Sequence, residues 1–137
     1  MSSVSYTAVI LDDKSRSILA TAFKDLMPDG WEWIAHHMTI KMGQLPEDQR
    51  KEMLGQKVTL KINKVANNDM VMAIGVTGFY CEKKIPHITL AVNRAAGAKP
   101  YMSDKLTDWY PYNVNFDLTG IVKEMENPTQ KMTEKKA

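Results

Sequence analysis

One cysteine, Cys81, is all this 137-residue chain contains. A single thiol excludes an intramolecular disulfide framework and any cysteine-based zinc cluster, and it fits a reducing compartment. Charge of one sign is also lacking. Eighteen Lys and Arg stand against sixteen Asp and Glu, a formal net charge of +2, so there is no polybasic field of the kind that neutralises many phosphates of a long duplex. A small nucleotide or a short RNA end suits this balance better. No apolar run approaches spanning length, and Met1-Ser2-Ser3-Val4 lacks a basic stretch leading into a long apolar one. The expectation is a cytoplasmic protein with neither signal peptide nor membrane contact.

A 44% hydrophobic and 25% charged composition over 137 residues is that of one globular domain with a real core. We expect that domain to occupy residues 1–126. From Asn127 to Ala137 the chain is polar and ends in Lys135-Lys136-Ala137, which reads as a frayed tail.

Histidine is scarce too, and the three present are informative. Two of them open the same pattern, His37-Met38-Thr39-Ile40 and His87-Ile88-Thr89-Leu90. Side chains alternate faces along a strand, so each copy sets an imidazole and a hydroxyl side by side and turns its two apolar residues the other way. A lone His-x-Thr means little, because Thr suits strands; the repetition with matched apolar positions gives it weight. Imidazole exchanges a proton near neutral pH, and a Thr hydroxyl can donate to a phosphoryl oxygen. Two such strands facing each other can hold a phosphodiester between a base and an acid.

The surrounding pattern supplies strands and helices in alternation. Val4 to Leu11 alternates as a first strand; Asp12 and Asp13 can cap a helix to about Leu26, with Ile18, Leu19, Ala22, Phe23 and Leu26 as its apolar stripe. Ile34 to Met42 carries the first motif, and Pro46 to Leu54 opens like a short helix. Lys57 to Ala66 and Met70 to Phe79, joined through Asn67-Asn68-Asp69, predict an antiparallel hairpin. Pro86 to Asn93 carries the second motif, Pro100 to Trp109 a short helix, and Val114 to Lys123 a last strand. The order is α+β, and the motifs fall in separate halves, which invites a pseudo-twofold arrangement about the site.

Other residues are candidates by position. Lys41, two places beyond Thr39, shares its face if the strand runs unbroken and adds charge beside a phosphate. Tyr6, Trp33 and Tyr80 lie near the motifs and can stack on a base, with core packing the ordinary alternative for each. His36 is expected to point away from His37. A zinc site built on His36, His37 and His87 would also need carboxylates, so neither metal nor organic cofactor is expected.

Paired His-x-Thr-apolar motifs on strands of a small α+β domain resemble the two-histidine (2H) phosphoesterase superfamily, which includes RNA ligase-like cyclic phosphodiesterases and phage enzymes that destroy cyclic-nucleotide immune signals. The resemblance implies a bilobal domain with mixed or antiparallel sheets around a central cleft. It implies metal-independent cleavage of a phosphodiester, with His37 and His87 as the acid-base pair and Thr39 and Thr89 on the phosphate. The motifs stand fifty residues apart, closer than in many members. The leading expectation is hydrolysis of a cyclic nucleotide or cyclic oligonucleotide, as in phage counter-defence. The alternatives are a 2',3'-cyclic phosphodiesterase of RNA ends and a nucleotide-binding sponge without turnover. A monomer or a homodimer fits either way.

Overall fold

The computed structural model of the chain describes residues 4–126; the expected tail from Asn127 lies outside the described residues. In chain order the elements are β1 (Val4–Leu11), α1 (Asp13–Phe23), β2 (Glu32–Trp33), β3 (His37–Met42), α2 (Glu47–Met53), β4 (Lys57–Asn67), β5 (Val71–Thr77), β6 (His87–Val92), β7 (Tyr110–Pro111) and β8 (Asp117–Glu126). Short 3-10 turns lie at Lys24–Leu26, Arg94–Ala96 and Pro100–Lys105. The class is α+β, as the alternation of patterns predicts.

Every strand pairing is antiparallel. The order β6-β3-β1-β8-β4-β5 closes on itself, because β5 also pairs with β6. The hydrogen bonds thus join both halves of the chain into one continuous sheet. The two motif strands, β3 and β6, meet antiparallel at the pair Met38–Ile88. The expected hairpin is present as β4 and β5, and its turn is fastened by Asn68, whose Oδ1 accepts from the backbone N–H of Met70 at 2.8 Å and of Val71 at 2.9 Å.

One face of the sheet carries the core. Val9, Met38, Ile40, Ile74, Ile88, Leu90, Leu60 and Leu118 are buried in one cluster that also takes Leu19 and Phe23 of α1. Asp12 caps α1, its carboxylate accepting from Ser15 N at 2.8 Å and from the Thr119 hydroxyl. The helix is shorter than expected. Its buried line is Ser15, Leu19 and Phe23, while Leu26, beyond the last helical turn, is 61% exposed.

Two strand boundaries also differ from the sequence pattern. The final strand starts at Asp117, with Val114 and Phe116 packed on the core from the preceding loop. Ile34 to Met42 is broken: β2 ends at Trp33, Ala35 takes a left-handed φ of 42°, and β3 begins at His37. A non-glycine residue holds that conformation only when its surroundings impose it. Here the Arg16 guanidinium donates to Ala35 O at 3.0 Å and to Ile34 O at 3.1 Å, and Ala35 N donates to Thr89 O at 3.0 Å. Among the described residues no helix is long and apolar enough to cross a membrane.

Candidate active site

Antiparallel pairing of two like motifs about their central residues has a geometric consequence. With Met38 opposite Ile88, one step along the register sets Thr39 opposite His87 and His37 opposite Thr89. Each histidine faces the other motif's threonine across the seam. Met38, Ile40, Ile88 and Leu90 are fully buried beneath, whereas His37, Thr39, His87 and Thr89 are each partly accessible. The four side chains share the face opposite the core because the period of a strand is two.

The environments of the two histidines differ. The His37 ring stacks on Tyr6 of β1, with centroids 5.0 Å apart and planes 29° from parallel. Its Nδ1 lies 3.0 Å from His36 Nδ1, so one nitrogen donates and the other accepts. The expectation that His36 points away is corrected. The break at Ala35 ends the alternation before β3 starts, and two consecutive imidazoles meet edge to face. Burial, reinforced by the nearby His36 and His87, pushes His37 down to about 4 from an ordinary 6.5. At neutral pH its imidazole is uncharged.

His87 is held from both ends. Its Nδ1 lies 2.8 Å from Ile85 O, which can only accept, so Nδ1 carries a proton and Nε2 is left for chemistry. Nε2 lies 3.4 Å from Asp104 Oδ1, a partner for an imidazolium, and Asp104 is itself held by Lys83 at 2.7 Å. The Trp109 ring stands 6.3 Å from that of His87. The neighbouring Ser103 Oγ is 2.7 Å from Thr89 Oγ1, which donates to Pro100 O at 3.2 Å. The 3-10 turn Pro100–Lys105 therefore touches both polar side chains of the second motif. Ser103 and Asp104 carry no signal in the sequence that ties them to residues fourteen or more places earlier; only the fold brings them there.

A cavity of about 620 Å³ opens beside His87, lined among others by Trp109, Asp104, Lys83, Lys84 and Lys105. Its volume lies within the range of small-molecule sites, and its rim is basic. Two of the other candidates meet at Glu82, which also lines this cavity. Lys41 Nζ pairs with Glu82 at 3.2 Å, and Tyr80 donates to the other oxygen of the same carboxylate at 2.8 Å. Hydrogen bonds from Tyr80 and Lys41 hold Glu82 below the usual carboxylate range. The register with β1 shifts between Thr7 and Ala8, so Ile40 has no partner there and Lys41 stands opposite Thr7, while β3 itself runs on to Met42 with Ile40 buried and Lys41 partly accessible. Trp33 pairs with Ala91 and packs on the core cluster. Among the described residues no three His, Cys, Asp or Glu side chains gather as a metal set.

Two histidine-threonine pairs thus lie on adjoining antiparallel strands. Residues 18–135 match the family model described as the fungal tRNA ligase phosphodiesterase domain, and the chain belongs to that family, within the 2H phosphoesterase and RNA ligase-like group. No curated protein and no solved structure is matched. Family membership supports a hydrolase of phosphodiesters.

The low proton affinity of His37 has a consequence for stability. Between pH 6.5 and about 4 the unfolded chain binds a proton at this position that the folded chain does not, so folding stability rises with pH across that window. Burial lowers His36 in the same direction. Acidifying from pH 7 to 4 should cost on the order of 3 kcal/mol through His37, and no more through it below that pH. Urea unfolding across this range checks it. In His37→Gln the slope should shrink; an unchanged slope would place the proton uptake elsewhere.

Proposed function

We propose that this chain hydrolyses a 2',3'-cyclic phosphate at an RNA or nucleotide end without a metal, using His37 as base and His87 as acid. The observation that carries the reading is the crossed arrangement of the two motifs about Met38–Ile88, which sets each imidazole opposite the other motif's hydroxyl across the seam. The family match favours the RNA-end substrate among those open from the sequence; nothing in the fold or the comparisons speaks for an immune-signal oligonucleotide.

The asymmetry of the imidazoles supports the roles. His37, neutral and desolvated, takes a proton from the attacking water as oxygen bonds to phosphorus. His87, with Asp104 beside Nε2, delivers a proton to the ribose oxygen as its bond to phosphorus breaks. One water is consumed, and a phosphomonoester and a free ribose hydroxyl result. Thr39, which makes no side-chain hydrogen bond among the described residues, is open to a non-bridging oxygen. Thr89, tied to Ser103 and Pro100, donates its one hydroxyl proton to the phosphate only by giving up the Pro100 carbonyl it donates to. Charge grows on the non-bridging oxygens as water adds, so donors placed there act on the transition state more than on the bound substrate. The cavity beside His87 receives the nucleoside, with Trp109 as its stacking wall, and with the β3–β6 seam it forms the cleft. All of these side chains come from one chain, so a monomer suffices.

The test is turnover of 2',3'-cyclic nucleotides, RNA ending in a cyclic phosphate, and cyclic di- and trinucleotides in excess EDTA. We expect EDTA-resistant cleavage of the first two. Cleavage of the cyclic oligonucleotides alone would transfer the reading to signal degradation, and tight binding of any of them without turnover would favour a sponge.

A further inference from the structure

Gly75 lies in the middle of β5 with neither turn nor left-handed backbone to account for it. A glycine there weakens a strand unless something else needs the space. What occupies the space is Lys64. A Cβ on residue 75 would lie 2.4 Å from Lys64 Cγ and 2.8 Å from its Cε, so the aliphatic stem of the lysine lies flat across the glycine. The sheet register shows where that stem leads. Lys64 of β4 is opposite Gly75, and Gly75 is opposite His87. Strands are spaced by about 4.8 Å, which puts Lys64 and His87 roughly 9.6 Å apart at the backbone. With the glycine between them as a notch, the stem crosses β5 and its ammonium ends beside Trp109, the ring that neighbours His87.

The ammonium end is held by an aromatic face. Lys64 Nζ stands 5.8 Å from the centroid of Trp109, the ring that also neighbours His87. Among the described residues no carboxylate pairs with Lys64, whereas Lys41, Lys61 and Lys83 are each paired. A half-buried ammonium steadied only by a ring quadrupole keeps its charge available to an anion.

We propose that Lys64, threaded over Gly75 and steadied by Trp109, is a substrate-binding residue that pairs with a phosphate oxygen on the His87 side of the site. The inference deepens the phosphodiesterase reading, and rests on it only for the identity of the anion. It gives the site a cation that Lys41, held by Glu82, does not provide. It also explains a glycine whose own backbone makes no demand for one.

The experiment uses Lys64→Met, which keeps the stem and removes the charge, Gly75→Ala, which blocks the path with a methyl, and the double variant. Two quantities are measured on each: KM and kcat for 2',3'-cyclic AMP, and the affinity for adenosine 2'-monophosphate and 3'-monophosphate by direct titration. A lost charge-assisted contact to phosphate is worth about ten- to a hundredfold in binding. We expect Lys64→Met to raise KM and weaken monophosphate binding by about that factor, with a smaller change in kcat. Gly75→Ala should act in the same direction, and the double variant should be no worse than Lys64→Met, since both remove one interaction. Parental KM and monophosphate affinity in folded Lys64→Met would overturn the inference while turnover by the parent upheld the phosphodiesterase reading. Lys64-dependent monophosphate binding in a parent that cleaves nothing would do the reverse. A parent that binds neither monophosphate would overturn the inference.

Discussion

His37→Ala and His87→Ala should each lower kcat/KM for a 2',3'-cyclic nucleotide by about a hundred- to ten-thousandfold, the usual contribution of a positioned acid or base. The double variant should lie close to the worse single one, because base and acid act in a single transition state and their losses do not add. The stacked Tyr6 and the carbonyl of Ile85 hold the two rings without demanding their presence for folding, so circular dichroism of the variants should match the parent. Retained turnover in either folded variant would remove that histidine from the chemistry.

The pH profile separates the two roles. A histidine base with an ordinary affinity would lose activity as pH falls through 6.5; His37, lowered to about 4 by burial and by the adjacent His36 and His87, should keep kcat/KM nearly level from pH 7 to 5. His36→Phe should move the acid limb upward by removing one of the causes of the shift. A steep fall of kcat/KM between pH 7 and 5 in the parent would overturn His37 as the base.

The largest expected effect on stability is at Gly120. This residue lies in β8, between Leu11 of β1 and Val58 of β4, and a Cβ there would come 2.5 Å from Ile10 O and 2.8 Å from Val9 Cγ1. The carbonyl belongs to a backbone paired on both sides and cannot swing away as a side chain would. Gly120→Val must push β8 off β1 at the point where Ile10 pairs with His37. We expect a loss of at least about 3 kcal/mol, the upper range for overpacking, or no folded protein at all. The urea midpoint of Gly120→Ala, which carries the smaller intrusion, should fall between those of parent and valine variant. A parental midpoint in Gly120→Ala would mean that β1 and β8 stand further apart than described.

Much of the strand pattern was legible because alternation is a local property. Val58, Leu60 and Ile62 announce β4, and Asn67-Asn68-Asp69 its turn, through residues that are neighbours in the chain. The break at Ala35 was not legible. It depends on the Arg16 guanidinium reaching two carbonyls eighteen and nineteen residues away, and no window along the sequence contains both partners. For the same reason His36 was read as pointing away from His37. Lys41 illustrates a subtler limit: alternation along β3 holds as far as Lys41, but the pairing of its ammonium with Glu82, forty-one residues away, lies outside any local window.

By itself the sequence determined the chemistry available to this protein. Two imidazoles and two hydroxyls in matched strand motifs, with a single cysteine that is too few for a cysteine-based zinc cluster, point to proton transfer at a phosphate. The lowered proton affinity of His37, what flanks each imidazole, and which lysine lies near were decided only by tertiary structure. Proton affinity follows from burial and from charges brought together across the sheet. The reach of Lys64 depends on a glycine in another strand. Those quantities belong to distances between residues far apart in the chain, which only the closing of the sheet sets.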